Sequence, residues 1–357
     1  MEKLDTIVIG ATGAAGQNIV EFIDEHPWFE ISCLAASDRS HGLKYQDAVE
    51  DAAFFNEKPG DDVLEMKVYS VNKIDPRNYD VAFSALPSDV AKTVEPMFAK
   101  HIPVISTASA YRYDQDVPIV IPDVNPEHIQ LVDAQRRNRG WKGFIVPGPN
   151  CTTVGLASTL KPLHEKYVVD KVSMVSMQSL SGAGEKGLKK DSPYRASVVK
   201  NVLPFIEGEE MKVAAETRKI LGEFSGGGIV EADITVHSTC TRVYVDAVHT
   251  EVVNLGTLQP HSVNEVKRLL SRYRSEPQEL GLPSAPEQPI IVVDEVDMPQ
   301  PLKHKEYPTM VTLVGRLREN DVFENGLSYV LTSDNLERGA GGGAVLTAEY
   351  LYVKGYL

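Results

Sequence analysis

Cysteine is scarce in this 357-residue sequence, with only Cys33, Cys151 and Cys240. So odd and sparse a set excludes a disulfide framework and suits a reducing cytosol. Neither C-x-x-C nor H-x-x-x-H spacing occurs, so no metal site is expected. Long apolar runs are missing as well: none approaches the roughly 18–20 residues that span a bilayer. Met1 leads straight toward a strand-like segment with no signal-peptide pattern, and the expected location is cytoplasmic. Positive charge is in deficit, with 36 Lys and Arg against 50 Asp and Glu, a net charge of −14. That balance argues against nucleic acid as the main partner, so any anionic ligand must be met by locally gathered basic residues. No internal repeat or low-complexity tract appears. The length exceeds what one hydrophobic core supports, which predicts two domains.

The most informative stretch is Pro147-Gly148-Pro149-Asn150-Cys151-Thr152-Thr153. A short β-rich run, Gly143 to Val146, precedes it, and a helix-period apolar pattern follows (Val154, Leu156, Ala157, Leu160, Leu163). Cys151 therefore falls on the first turn of a helix. There it faces unpaired backbone N–H groups and the positive end of the macrodipole, which favour thiolate over thiol.

The chain opens as strand, glycine turn and helix. Leu4–Ile9 reads as a buried parallel strand, Gly10-Ala11-Thr12-Gly13-Ala14-Ala15-Gly16 as the turn, and Gln17–Glu25 as helical. Glycines every three residues permit a tight turn and close approach of a pyrophosphate to a helix N-terminus. The spacing is G-x-x-G-x-x-G, a variant of the usual dinucleotide fingerprint. A second strand, Glu30–Ala36, ends in Ser37-Asp38-Arg39-Ser40. Asp38 alone suggests a ribose hydroxyl, whereas Ser37, Arg39 and Ser40 suit a 2′-phosphate, and NADP is the expected cofactor. Tyr45–Asp75 is acidic and aperiodic and reads as surface elaboration. Strands then recur at Asp80–Ser84 and Ile102–Ser106, with helices at Asp89–Lys100 and Glu127–Arg137. This βαβ alternation predicts a parallel sheet whose loops Gly10–Gly16, Ala85–Pro87 and Ser106–Arg112 gather at one edge, with Arg112 facing the ligand crevice.

Beyond Cys151 the pattern changes. Strand-like runs at Lys171–Leu180, Ala232–Val245, Thr250–Leu255, Pro289–Val293, Thr309–Val314 and Ser328–Thr332 lack regular crossovers, with helices at Gly208–Leu221 and Ser262–Tyr273. The fold class expected is α/β: a Rossmann-type domain over residues 1–150, then an α+β domain with a mixed sheet over 151–334. The glycine-rich Arg338–Gly343 and the apolar helix after it (about 335–357) return to the first domain. As partner for Cys151, His249 stands out between two strand-like runs. On one straight strand Arg242 and His249 would face opposite sides, so a bulge or bend is needed to unite them. Glu209 and Lys212 share a helix face; by periodicity alone they are a solvated pair.

Taken in order, these motifs resemble the aspartate-β-semialdehyde dehydrogenase family, particularly its archaeal and fungal branch. They are Gly-Ala-Thr-Gly-x-x-Gly at 10–16, Ser-Ala-Leu-Pro at 84–87, Ala-Ser-Ala-Tyr-Arg at 108–112, Pro-Asn-Cys-Thr-Thr at 149–153, and Gln-Ser-Leu-Ser-Gly-Ala-Gly at 178–184. Glu-Glu-x-Lys at 209–212, Cys-x-Arg-Val at 240–243 and Arg-Gly-Ala-Gly at 338–341 complete the set. The resemblance implies that Cys151 is the acylated nucleophile, His249 the general acid/base and Gln178 the residue holding the intermediates. It further implies that Arg242 clamps the substrate carboxylate, Glu209 takes its ammonium, and Lys212 and Arg112 bind phosphate. Gly10, Thr12, Gly13, Ala14, Gly16, Ser37, Arg39, Ser40, Ser84, Leu86, Gly182 and Asn335 would meet the NADP. A homodimer or homotetramer is implied as well.

The sequence departs from that family at two places. Val248 replaces the glycine before the histidine, and Tyr244 the proline after Cys-x-Arg-Val. The segment Glu185–Arg195 also carries extra cations (Lys186, Lys189, Lys190, Arg195), which would suit a bulkier anionic substrate. The rival within the fold is a malonyl-CoA or succinyl-CoA reductase. N-acetyl-γ-glutamyl-phosphate reductase fits less well, because Thr152-Thr153 stand where it has tyrosine–proline. A Cys–His hydrolase leaves Gly10–Gly16 unexplained, and a noncatalytic NADP-binding regulator leaves the set of site residues unexplained.

Overall fold

The computed structural model describes residues 3–50 and 54–357. Six parallel strands form the first sheet: β1 (Leu4–Ile9), β2 (Phe29–Ala36), β3 (Val68–Ser70), β4 (Val81–Ser84), β5 (Val104–Ser106) and β6 (Ile145–Pro147), in the order β3-β2-β1-β4-β5-β6. β1 explains why these strands read as continuous apolar runs. Ile7 and Ile9 pack with Val94 and Phe98 on one face, while Val8 packs with Ile19, Val20 and Val345 on the other. Both faces are covered by helices, so both sets of side chains must be apolar. The first helix, α1 (Ala14–Ile23), follows β1; α2 (Ser88–Ala99) follows β4; α3 (Leu131–Arg139) precedes β6.

The long helix α4 (Cys151–Tyr167) leaves β6 and enters a second core with Val172, Met174, Val253 and Leu331. The second sheet begins with β7 (Val169–Gln178). Helices α5 (Pro193–Val198) and α6 (Glu209–Ile220) come next, then a small hairpin of β8 (Glu223–Phe224) and β9 (Ile229–Val230). The remaining strands are β10 (Thr235–Arg242), β11 (His249–Thr257), β12 (Ile290–Val292), β13 (Thr312–Asn320) and β14 (Gly326–Ser333), in the order β10-β7-β11-β14-β13-β12. β10 and β12 run parallel to their neighbours and the other pairs are antiparallel, so the sheet is mixed as expected. The terminal helix α7 (Gly341–Val353) returns to the first core through Val345, Leu346 and Leu351. No helix among the described residues is long and apolar enough to cross a membrane.

The stretch Tyr45–Asp75 is not surface elaboration. Val68–Ser70 pairs with β2 as an edge strand, and Tyr45 is fully buried with its hydroxyl donating to the Ala11 carbonyl at 2.8 Å. A three-residue strand and single-turn helices are too short to show a period, which is why the pattern hid them. Residues 51–53 of that stretch, like Met1 and Glu2, lie outside the described residues. Tyr45→Ala should destabilise the protein by about 3–5 kcal/mol and Tyr45→Phe by about 1 kcal/mol. Leu43→Ala, at an exposed neighbour, should change it by less than about 1 kcal/mol. Urea denaturation of the three variants checks this; a Tyr45→Ala midpoint equal to the parent's would overturn the assignment.

Candidate active site

Asn150 sets where α4 begins. Its side-chain Oδ1 accepts from the Thr152 N–H at 3.0 Å, an N-cap that leaves Cys151 as the first helical residue. Two carboxylates of α6 hold Asn150 in turn: Glu216 accepts from its backbone N–H at 2.6 Å, and Glu209 from its Nδ2 at 2.7 Å. Cys151 lines a cleft of about 310 Å³ together with Arg112, Lys212, Gly182, Leu86 and Asn335.

The thiol lies 3.2 Å from His249 Nε2. Burial pushes the Cys151 thiol up to about 12, with the Glu209 charge adding to it. The charges of Arg242 and Arg112 and the Thr152 N–H oppose that shift and lose. The thiolate expected from helix position alone is thus not the resting state, because desolvation outweighs a helix end. Burial, followed by the Arg242 charge, draws His249 down to about 3, so the ring is neutral. The Ser179 backbone N–H donates to Nδ1 at 3.1 Å. A backbone N–H can only donate, so the neutral ring carries its proton on Nε2, facing the sulfur.

Arg242 and His249 meet without any bulge. They belong to different strands, the end of β10 and the start of β11, which flank β7 on either side. Arg242 pairs with Gln178 across β10 and β7, and Thr250 with Met177 across β11 and β7, so Arg242, Gln178 and His249 sit at one end of three adjacent strands. Gly182 is required where they converge: a Cβ there would stand 2.7 Å from Arg242 Nη1 and 2.8 Å from His249 Cε1. Val248 does take the left-handed conformation, at φ 72°, a strained choice for a β-branched residue. The Asn335 side chain holds it there, accepting the Val248 N–H at 3.1 Å and the Ser179 hydroxyl at 2.9 Å.

Glu209 is buried in the site and is no solvated surface partner. One oxygen meets Lys212 Nζ at 3.1 Å, and the other meets Asn150 and, at 3.3 Å, Gln178 Nε2. Arg112 borders the cleft with its guanidinium engaged, donating to Glu216 at 3.0 Å and to the Thr107 carbonyl at 3.0 Å. Sequence reasoning missed Glu216, which ties Arg112 to Asn150. It also missed Lys219, whose ammonium binds the carbonyls of Arg112, Asp114 and Val117. Burial draws Lys219 down to about 8. Spacing was the available signal, since 209, 212, 216 and 219 share one helical face. Of the extra cations after Gly184, Lys189 pairs with Glu185 and Arg195 with Asp246, while Lys186 stands over the Tyr194 ring.

The nucleotide turn fits a dinucleotide. Gly10 has φ 82°, and a Cβ on it would lie 2.6 Å from the Ala85 carbonyl oxygen. No side chain caps α1, which leaves its N-terminus to a ligand; Ala14 and Leu86 line the cleft beside it. Thr12 and Gly13 complete the turn, and Gly16 packs against the Gly10 carbonyl too closely for any side chain. Beyond β2, Asp38 accepts from the Ser70 hydroxyl at 2.5 Å, while Ser37 and Arg39 are exposed and Ser40 partly so. Ser84 is fully buried, its hydroxyl donating to Glu95 at 2.8 Å.

A doubly wound nucleotide domain whose crevice opens on a Cys–His pair, with acid and base flanking the sulfur, has the architecture of a dehydrogenase acting through cysteine. The family model for the semialdehyde dehydrogenase NAD binding domain matches residues 5–132, and that for the semialdehyde dehydrogenase dimerisation domain matches 160–338. The chain belongs to the semialdehyde dehydrogenase family. It is 42% identical to the aspartate-semialdehyde dehydrogenase of Methanothermobacter thermautotrophicus, over 96% of this chain and 97% of that one. It is 36% identical to the NADP malonyl CoA reductase of Metallosphaera sedula, over 99% and 98%. The crystal structure of aspartate semialdehyde dehydrogenase with NADP from Candida albicans superposes with a TM-score of 0.88 at 35% identity, covering 100% of both chains.

The protonation states make a pH prediction. A thiol titrating far above neutrality gains thiolate tenfold per pH unit, so iodoacetamide should alkylate ligand-free Cys151 about tenfold faster per unit from pH 7 to 9. A plateau reached by pH 6, measured by mass spectrometry with Cys151→Ser as control, would instead reveal a thiolate–imidazolium pair.

Proposed function

We propose that the chain is an NADP-dependent aspartate-semialdehyde dehydrogenase, interconverting β-aspartyl phosphate and aspartate semialdehyde through a thioester on Cys151. The observation that carries this reading is Glu209. Its buried carboxylate and the buried guanidinium of Arg242 both act on the Cys151 sulfur. Opposite charges flanking one nucleophile match a substrate with both an α-ammonium and an α-carboxylate. An acyl-CoA has no ammonium to take Glu209 from Lys212, so the buried carboxylate would contribute nothing to its recognition.

Gly10–Gly16 would hold the pyrophosphate, with Ser37, Arg39 and Ser40 at the 2′-phosphate and Leu86, Gly182 and Asn335 toward the nicotinamide. When bound, NADPH supplies the hydride that reduces the thioester. The chain's own residues do the rest. Cys151 attacks the acyl carbon as its thiol proton passes to the departing phosphate, and the bond to phosphate breaks; Lys212 and Arg112 receive the anion. Glu209 exchanges Lys212 for the substrate ammonium, which frees the lysine to turn toward phosphate. The Nε2–H of His249 hydrogen-bonds first the thiolate and later the oxyanion of the thiohemiacetal, while Gln178 bears on the same carbon. Hydride addition places a negative charge on oxygen, collapse to the aldehyde passes it to sulfur, and a proton from solvent restores the thiol, so the histidine itself ends as it began. Donation from a neutral ring replaces the proton shuttle expected of an acid/base pair; one good donor to an oxyanion is worth about 3 kcal/mol.

Two copies would meet through the outer face of the second sheet. Val175, Val252 and Val330 are cross-strand neighbours there, and Val175 is 39% exposed. A row of valines facing solvent supports a dimer at this face.

Purified protein should reduce NADP with aspartate semialdehyde and phosphate and show no oxidation of NADPH with malonyl-CoA. Activity with the CoA ester alone would reject the proposal. Cys151→Ser should abolish turnover, leaving the NADPH dissociation constant within about threefold by fluorescence titration. Glu209→Gln should raise KM for the semialdehyde at least about tenfold, the loss of a charge-assisted contact.

A further inference from the structure

Helix α5 reaches Arg242 through Tyr194, and neither the expected site residues nor the reaction accounts for it. Ser192 caps it, accepting the Tyr194 N–H at 3.2 Å, with Pro193 at the first position. This fixes two consecutive side chains on the loop that separates Arg242 from His249. The Tyr194 hydroxyl accepts from Arg242 Nε at 3.2 Å. Arg195 donates to Asp246 at 2.7 Å, and its guanidinium stands 5.2 Å from the centroid of the Tyr244 ring. The loop is tied from below as well, because Leu180 and Ser181 donate to the carbonyls of Val245 and Asp246 at 2.7 and 3.0 Å. Tyr244, the aromatic where the family pattern has proline, is thus the platform on which Arg195 rests.

Arg242 is 2% exposed, and two of its nitrogens are committed: Nε to Tyr194 and Nη1 to the Ser179 carbonyl at 2.5 Å. A guanidinium offers a carboxylate either its Nε edge or its Nη end, and the choice sets where the carboxylate lies. With the tyrosine on Nε, the Nη end is the one presented. We propose that Tyr194 is a positioning residue for substrate recognition: its hydroxyl selects the Nη end of Arg242 for the α-carboxylate. The Arg195–Tyr244–Asp246 contacts anchor the same helix to the loop. Tyr194 touches neither the sulfur nor the hydride path, so its hydroxyl governs affinity for a carboxylate-bearing aldehyde and not the chemical step. This inference rests on the assignment of Arg242 to the α-carboxylate.

The test is steady-state kinetics of Tyr194→Phe, Arg242→Lys and the double variant with aspartate semialdehyde and with 3-aminopropanal, which lacks the carboxylate. Tyr194→Phe should raise KM for aspartate semialdehyde roughly tenfold with kcat within about twofold. Its kcat/KM for 3-aminopropanal and its NADPH affinity should match the parent. In the Arg242→Lys background the tyrosine change should add nothing, because its effect passes through Arg242. If Arg242→Lys raises KM and Tyr194→Phe does not, the role of Tyr194 is overturned. A fall in kcat at unchanged KM, or equal losses with both aldehydes, overturns it too. An unchanged KM in Arg242→Lys removes the carboxylate assignment itself and the inference with it.

Discussion

Asn150 is gripped at four points, and the position of the nucleophile depends on that grip. Its own carbonyl and side chain start α4, while Glu216 and Glu209 fix its backbone N–H and its amide. Both carboxylates belong to one face of α6, so a single helix placed against another determines where Cys151 stands. The same two acids reach Arg112 and Lys212, which couples the nucleophile to the cations that border its cleft. A buried carboxylate carries a desolvation cost that only such a complete set of partners offsets. The grip therefore holds as a unit.

Burial also sets the chemistry of the resting site. Desolvation disfavours both the thiolate and the imidazolium, and the pair stays neutral near physiological pH. The Ser179 N–H then decides which nitrogen faces the sulfur, a second-neighbour effect on a first-contact group. A neutral donor at that point suits a reaction in which negative charge shuttles between sulfur and oxygen. Strain is accepted nearby for the same end: Val248 keeps a conformation that glycine adopts without cost, because Asn335 and the strand start at His249 demand it.

Much of this was legible in the residues. The apolar runs and glycines of the first domain, the turn before α4 and the fold class follow from local rules. The motifs in sequence order marked out the residues that the fold then gathers. Tyr45–Asp75 was misread because a three-residue strand carries no period. Arg242 and His249 were expected to need a bend or a bulge, and the six loop residues between β10 and β11 supply the bend. Ser84 sits at the motif position but turns its hydroxyl inward to Glu95.

What the sequence determines by itself is local: where helices and strands begin, which of their faces are apolar, and that a cysteine opens a helix at a glycine- and proline-rich junction. These depend on neighbours within a few residues along the chain. Tertiary structure alone decides that Glu209 and Glu216 are buried ligands of Asn150, that the cysteine rests as a thiol, that His249 carries its proton on Nε2, and that Tyr194 reaches Arg242. Each of those depends on burial and on polar groups brought together from 48 to 98 positions away. Electrostatic energy is set by distance in space and by the surrounding dielectric, and neither is written in the spacing of residues along a chain.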